Sequence, residues 1–208
     1  VRGKALDIVA FAIGLAMAWH FGWRTKDLVW SLWLASLVVG YATIVLGVAG
    51  AARRRIGERP VATIAASLFL LAFFSVHFGG FHFVHSMFLS LFFPLGDLPF
   101  VPAYGRVVAD YWPWLLPAAF AERRALLDAA LARPALATER DGLGGGPGDL
   151  GFHPLAAYKN VIRMHLLIFA FAACALLGLE NFVVYALVYA VYFWPWSVRN
   201  APSAPPVA

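Results

Sequence analysis

The sequence predicts an all-α integral membrane protein, a single bundle of about six transmembrane helices with both termini in the cytoplasm. Three observations lead there. Of the 208 residues, 62% are hydrophobic and 13% are charged, where an ordinary soluble domain carries about 25% charged residues. Too few polar side chains remain to coat a soluble core, whereas a bilayer accepts helices that are apolar on every face. The apolar residues fall in runs close to one membrane thickness, and the arginines gather between those runs, where they set orientation.

The first run covers about 5 to 22. Val1-Arg-Gly-Lys4 before an apolar stretch holding Ala16-Met-Ala18 has the parts of a secretory signal peptide. A retained helix is expected instead, because the charge pattern closes only if this segment crosses and stays. The second run, about 28 to 50, is followed by Arg53, Arg54, Arg55 and Arg59, which mark that loop as cytoplasmic. The third, about 61 to 93, is too long: as one helix it would run about 50 Å through a hydrocarbon core of about 30 Å. It must tilt, break or protrude, and Gly79-Gly80 is the expected place for a break or a close helix contact.

The fourth run, about 103 to 121, is the weakest span, with Arg106, Asp110, Pro113 and Pro117 inside it. Arg106 and Asp110 stand at i, i+4 and can pair. The segment has re-entrant or interfacial character, but parity assigns it a crossing, since the arginine-rich loops on either side of runs three and four both belong inside. A cytoplasmic loop follows over about 122 to 159, with an amphipathic helix expected at 122 to 133 and a flexible glycine-rich stretch from Gly142 to Gly151. Runs five and six cover about 160 to 178 and 181 to 197. Arg2, Lys4, Arg123, Arg124, Arg133, Arg140, Lys159 and Arg199 then share the inner side, while Arg24, Lys26, Asp27, Asp97 and Glu180 fall outside. The expected location is the bacterial inner membrane, with the lipid bilayer as principal partner and a membrane-protein partner or a second copy as further ones.

Several function classes are disfavoured. The net charge of +5 is accounted for by loop arginines, so nucleic acid is not expected as a partner. Cys174 is the sole cysteine and allows neither an intrachain disulfide nor a thiolate metal cluster. Gly142-Leu-Gly-Gly-Gly-Pro-Gly148 lacks the Lys-Ser/Thr of a phosphate loop. No internal repeat supports an inverted-repeat transporter, and neither a Ser-His-Asp order nor a helical His-Glu-x-x-His pattern supports a hydrolase. Trp112-Pro-Trp114 and Trp194-Pro-Trp196 read as interfacial belts.

The dense polar chemistry lies in Ser75-Val-His77-Phe-Gly-Gly-Phe-His82-Phe-Val-His85-Ser86. An imidazole in a bilayer is costly unless its nitrogens are paired, so such residues are functional candidates or helix fasteners. His82 and His85, at i, i+3, share a face and can share a metal. His77 lies eight residues from His85, about 12 Å along the axis, and joins them only if the helix distorts. A second helix must complete any site, and His165 is the leading donor. His77 is its better match in depth, while His20 matches His82 and His85, which allows one site at mid-membrane and another near the outer surface. His153 beside Pro154 reads as solvated.

At these histidines the chain resembles a bacterial and archaeal membrane protein family defined only as domain of unknown function 6498. Phe74-Ser-Val-His77-Phe-Gly79-Gly-Phe81-His-Phe-Val84-His85-Ser-Met-Phe88 is similar to that family's histidine block, with Phe78 in place of tyrosine and Ser86 in place of glycine. Tyr158-Lys-Asn-Val-Ile-Arg-Met-His165 is similar to its later Tyr-x-Arg-Ile-x-x-x-His helix. The resemblance singles out His77, His85 and His165, leaves His82 as a local addition, and implies no reaction.

The leading expectation is a divalent transition metal, zinc, copper, iron or nickel, held by His77, His85 and His165 with His82 auxiliary. These rings are expected to point into the bundle, with at least two converging. Whether the chain is an enzyme is left open. The rivals are haem ligated by two histidines, a non-enzymatic structural or partner subunit, and a small transporter.

Overall fold

A computed structural model describes residues 2–95, 103–131, 166, 167, 169–174, 176–179 and 181–193. Every regular element among them is helical: α1 (Arg2–His20), α2 (Thr25–Arg55), α3 (Pro60–Phe92), α4 (Tyr104–Tyr111), a 3-10 turn (Trp112–Trp114), α5 (Leu115–Ala121), α6 (Arg123–Ala130) and α7 (Phe182–Phe193). Residues 169–174 are helical as well. The all-α expectation therefore holds. Among the described residues, α2 and α3 are the two helices long and apolar enough to cross a membrane.

Glycines make two of the sharp reversals. Gly22 takes φ 62° and Gly178 takes φ 69°, a left-handed conformation that a Cβ disfavours by about 1 kcal/mol or more. At the end of α1 the Trp23 N–H bonds the Ala18 carbonyl at 2.8 Å, and near Gly178 the Leu179 N–H bonds that of Cys174 at 2.9 Å. Both are the six-to-one bond of a glycine-terminated helix. The next helices start with side-chain caps. The Asp27 carboxylate takes the Arg24 N–H at 2.7 Å, and the Asn181 side-chain oxygen takes the Val184 N–H at 3.1 Å.

The α2–α3 pair is an antiparallel hairpin closed by residues 56–59. Its register is written in side chains: Tyr41 bonds Ser75 at 2.7 Å, Ser36 meets His82 at 3.2 Å, the Trp33 indole donates to the His82 carbonyl at 2.9 Å, and the Trp30 indole donates to the Phe93 carbonyl at 2.8 Å. Pro60 opens α3 at its first turn, where its missing N–H costs no helical bond.

α3 runs unbroken from Pro60 to Phe92, so the break expected at Gly79-Gly80 is absent. The expected close contact is absent there too, since a Cβ on either glycine meets no described atom within 4 Å. The close approaches are at other glycines. Gly40 lies under the Phe78 ring, and Gly14 lies under the Tyr189 hydroxyl and the Trp114 indole. The run was long because the helix is long.

The fourth segment is not one helix. α4 ends at Tyr111 and a 3-10 turn carries Trp112-Pro113-Trp114 into α5, as expected where proline removes an N–H and crowds the preceding turn. Arg106 does pair with Asp110, at 3.3 Å on an exposed face, and its guanidinium also donates to the Leu95 carbonyl at 2.8 Å. α6 falls within the stretch expected to form a short helix after it.

The main core joins these pieces. Trp23, Trp30, Trp33, Tyr111, Trp114, Tyr185 and Tyr189 share one buried cluster with Leu28, Leu89 and Val107. Trp114 stands 5.5 Å from Trp23 and 5.6 Å from Tyr189, within the range of favourable edge and offset ring contacts. The expected helices at 160–165, the end of the last run at 194–197 and the loop at 132–159 lie outside the described residues.

Candidate functional site

α3 turns one stripe toward the rest of the chain: Phe74, Phe78, His82, His85, Ser86, Leu89 and Ser90 are its buried residues. The spacing of three and four is that of one helical face. His82 is 1% and His85 2% exposed, so two of the expected site residues do face inward. His77 does not. It is exposed, correcting the expectation that it points into the bundle. One residue before Phe78, it is rotated by about 100° from the buried stripe. Its ring stacks on Phe73 at 5.5 Å and lies 5.7 Å from that of Phe81. His165 and His153 fall outside the described residues. His20 is exposed at the end of α1, its ring on Phe21 at 5.2 Å.

The two buried imidazoles are held alike. His82 Nδ1 lies 3.0 Å from the Phe78 carbonyl, and His85 Nδ1 lies 2.7 Å from the Phe81 carbonyl. A carbonyl only accepts, so each Nδ1 carries a proton, and in the neutral form of the ring Nε2 presents a lone pair. For His82 that lone pair receives the Ser36 hydroxyl across the interface, while its own carbonyl receives the Trp33 indole. His82 is thus bonded to α2 through side chain and backbone both. Its ring is also packed 4.3 Å from that of Phe78.

His85 is set differently. Its ring centroid is 6.4 Å from that of His82, with the planes tilted by 49°. An Nδ1–H committed to a backbone carbonyl is the arrangement by which metal-bound histidines fix the tautomer and aim Nε2. Beside it, the Ser86 hydroxyl bonds both the Phe83 carbonyl at 2.6 Å and the Tyr104 hydroxyl at 2.7 Å. Tyr104 in turn stacks on Trp33 at 5.8 Å. Among the described residues no three His, Cys, Asp or Glu side chains come together as a ligand group, so any metal held on His85 draws on residues elsewhere.

Trp33, Ser36, Ser86 and Tyr104 were not among the expected site residues. Ser36 and Ser86 had a signal, being polar side chains inside apolar runs. Tyr104 had none, because its contact depends on how the chain returns after α3.

Together the long apolar helices and this stripe define a helical-bundle protein with a polar, aromatic-walled seam between its two longest helices. Residues 5–193 match the model of a family of unknown function, DUF6498. The chain belongs to that family, as its histidine pattern implied. No curated protein and no solved structure matches it.

Proposed function

We propose that the chain is a multi-pass protein of the bacterial cytoplasmic membrane, crossing six times with both termini inside, and that α3 helps hold a divalent transition metal on imidazole nitrogens. The observation that carries the membrane reading is the surface of α3. Only 17% of its apolar window is buried, and Val61 is 80%, Phe69 68% and Val76 78% exposed. A helix this apolar and this uncovered is stable against lipid and a liability in water.

Two contacts support a crossing by the fourth segment. Tyr111 reaches Asp27 at the start of α2, next to the outer end of α1, and Arg123 pairs with Asp7 near the start of α1 at 2.8 Å. Residues 111 to 123 therefore run back along α1, antiparallel to it. Reporter fusions at residues 56 and 140 are expected to read cytoplasmic. A periplasmic signal from either overturns the six-crossing reading.

For the metal, the Nδ1–H of His85 on the Phe81 carbonyl is the supporting feature, with His165 from the fifth run as the second donor; His77, eight residues away on an unbroken helix, is not one of its partners. His82 serves as a fastener of α2 to α3. His85→Ala and His165→Ala are expected to lower the metal affinity of the purified protein by about tenfold or more. His82→Ala keeps the metal but loses about 1 to 3 kcal/mol of stability, because Ser36 loses its imidazole partner and Phe78 its packed neighbour. Elemental analysis and thermal unfolding in detergent read the two effects separately. Failure to bind metal after loading overturns the metal reading and leaves the structural one, which the engagement of both His82 nitrogens already favours for that residue.

A further inference from the structure

We propose that the arginine-rich end of the α2–α3 hairpin is a binding site for an anionic phospholipid, with the phosphate at Arg55 and Arg59 and an acyl chain lying between the helices. A groove of about 460 Å³ opens there. Gly47 and Ala51 of α2 face Ala62 and Ala66 of α3 along its walls, and Leu70 closes its inner end. Further along the hairpin, Ile44, Phe74 and Phe78 fill the space between the same helices. Toward the arginine end the facing residues are mostly small, and they leave a channel instead of a contact.

The groove has a chemical polarity that suits one ligand class. From Ala62 to Leu70, about 12 Å of helix, its wall is mainly apolar, with the hydroxyls of Thr63 and Ser67 set among Ala62, Ala66 and Leu70. Its mouth carries Arg55, Glu58 and Arg59, and the flanking Arg53 and Arg54 bring the local balance to four positive charges against one negative. All five charged side chains are exposed. A mainly apolar slot that ends in a cationic rim at the cytoplasmic surface complements a lipid tail joined to an anionic phosphate, and each arginine near such a headgroup favours binding by about fivefold. A zwitterionic headgroup gains little from this rim.

The proposal rests on the membrane reading above, and its test is separable from it. The full chain, purified in detergent, is titrated with phosphatidylglycerol and with phosphatidylcholine of the same acyl chains, and bound lipid is counted by native mass spectrometry. Phosphatidylglycerol is expected to be retained preferentially. Arg55→Gln with Arg59→Gln should reduce that preference by about fivefold for each arginine. Ala66→Phe, at an exposed position on the groove wall, should fill the slot and weaken both lipids; Ala62→Leu provides the same block if the first variant is poorly made. Equal retention of the two lipids by the wild type, or retention unchanged by both groove-filling variants, overturns the proposal. None of these variants touches the histidine stripe, and the residue 56 and 140 fusions are read on the wild-type chain, so failure of the membrane reading shows in the fusions and failure of this one shows in the lipid count.

Discussion

Gly40→Ala is expected to lower the stability of the detergent-solubilised protein by about 1 to 3 kcal/mol, the usual cost of overpacking a filled interface. Gly80→Ala is expected to leave it unchanged or raise it by up to about 1 kcal/mol through helix propensity. Both glycines sit in the interiors of long helices, so propensity alone predicts a gain at each. Packing reverses the sign at one of them. A Cβ on Gly40 would stand 2.7 Å from Phe78 Cζ and 3.5 Å from both adjacent ring carbons. Phe78 cannot simply swing aside. It is 1% exposed, packed with Ile44 and Phe74, and its ring lies 4.3 Å from that of His82. Any retreat of the ring therefore presses on the imidazole that bonds Ser36. Phe78→Leu added to Gly40→Ala should recover part of the loss by giving the new methyl room. Thermal unfolding of the single and double variants decides the matter, and a Gly40→Ala protein as stable as the wild type would mean that the two helices do not meet at this point.

Removing the Asp27 carboxylate as Asp27→Ala should cost more, about 2 to 4 kcal/mol. One part is the helix cap: Oδ2 accepts the Arg24 N–H at 2.7 Å, and such caps contribute about 1 kcal/mol. The other part is the Tyr111 hydroxyl, which donates to Oδ1 at 2.7 Å from a side chain 2% exposed. Left without its acceptor, a buried hydroxyl costs about 1 to 3 kcal/mol. The double variant Asp27→Ala with Tyr111→Phe should therefore be less damaged than the sum of its parts, by about 1 kcal/mol or more, since the stranded hydroxyl is gone. Strictly additive losses in the unfolding measurements would show that the carboxylate and the phenol do not bear on one another.

Hydrophobic length made most of the helices readable before any coordinates. α1, α2 and α3 fall within a few residues of the expected runs, because a segment apolar on every side has little choice but to be a buried or lipid-facing helix. That same uniformity hid the orientation of α3. With apolar residues all round, no amphipathic phase distinguishes the side that carries His77 from the side that carries His82 and His85; the ranking that set His77 above His82 came from a pattern of residue types, which carries no rotation angle. Position along the helix was legible and azimuth was not. The pair Arg106 and Asp110 was readable because it is local, at i, i+4. The long-range partners of the seam, Ser36 with His82 and Ser86 with Tyr104, depend on the hairpin register and on the path back into α4, neither of which any local signal encodes. Gly79-Gly80 misled for a related reason: a glycine pair advertises permission for a bend or a contact, and α3 uses neither.

The broken segment from Tyr104 to Ala121 bears on how the protein is made. Interrupted by a 3-10 turn and carrying Arg106 and Asp110, it is far less continuously apolar than α2 or α3. What holds it is supplied by chain already synthesised when it emerges: Ser86 on α3 receives Tyr104, Asp27 on α2 receives Tyr111, and Asp7 on α1 receives Arg123. The first three helices together present the surface on which this segment rests. These three partners precede the segment in the chain, and α7 adds a later one where Tyr189 rests against Trp114.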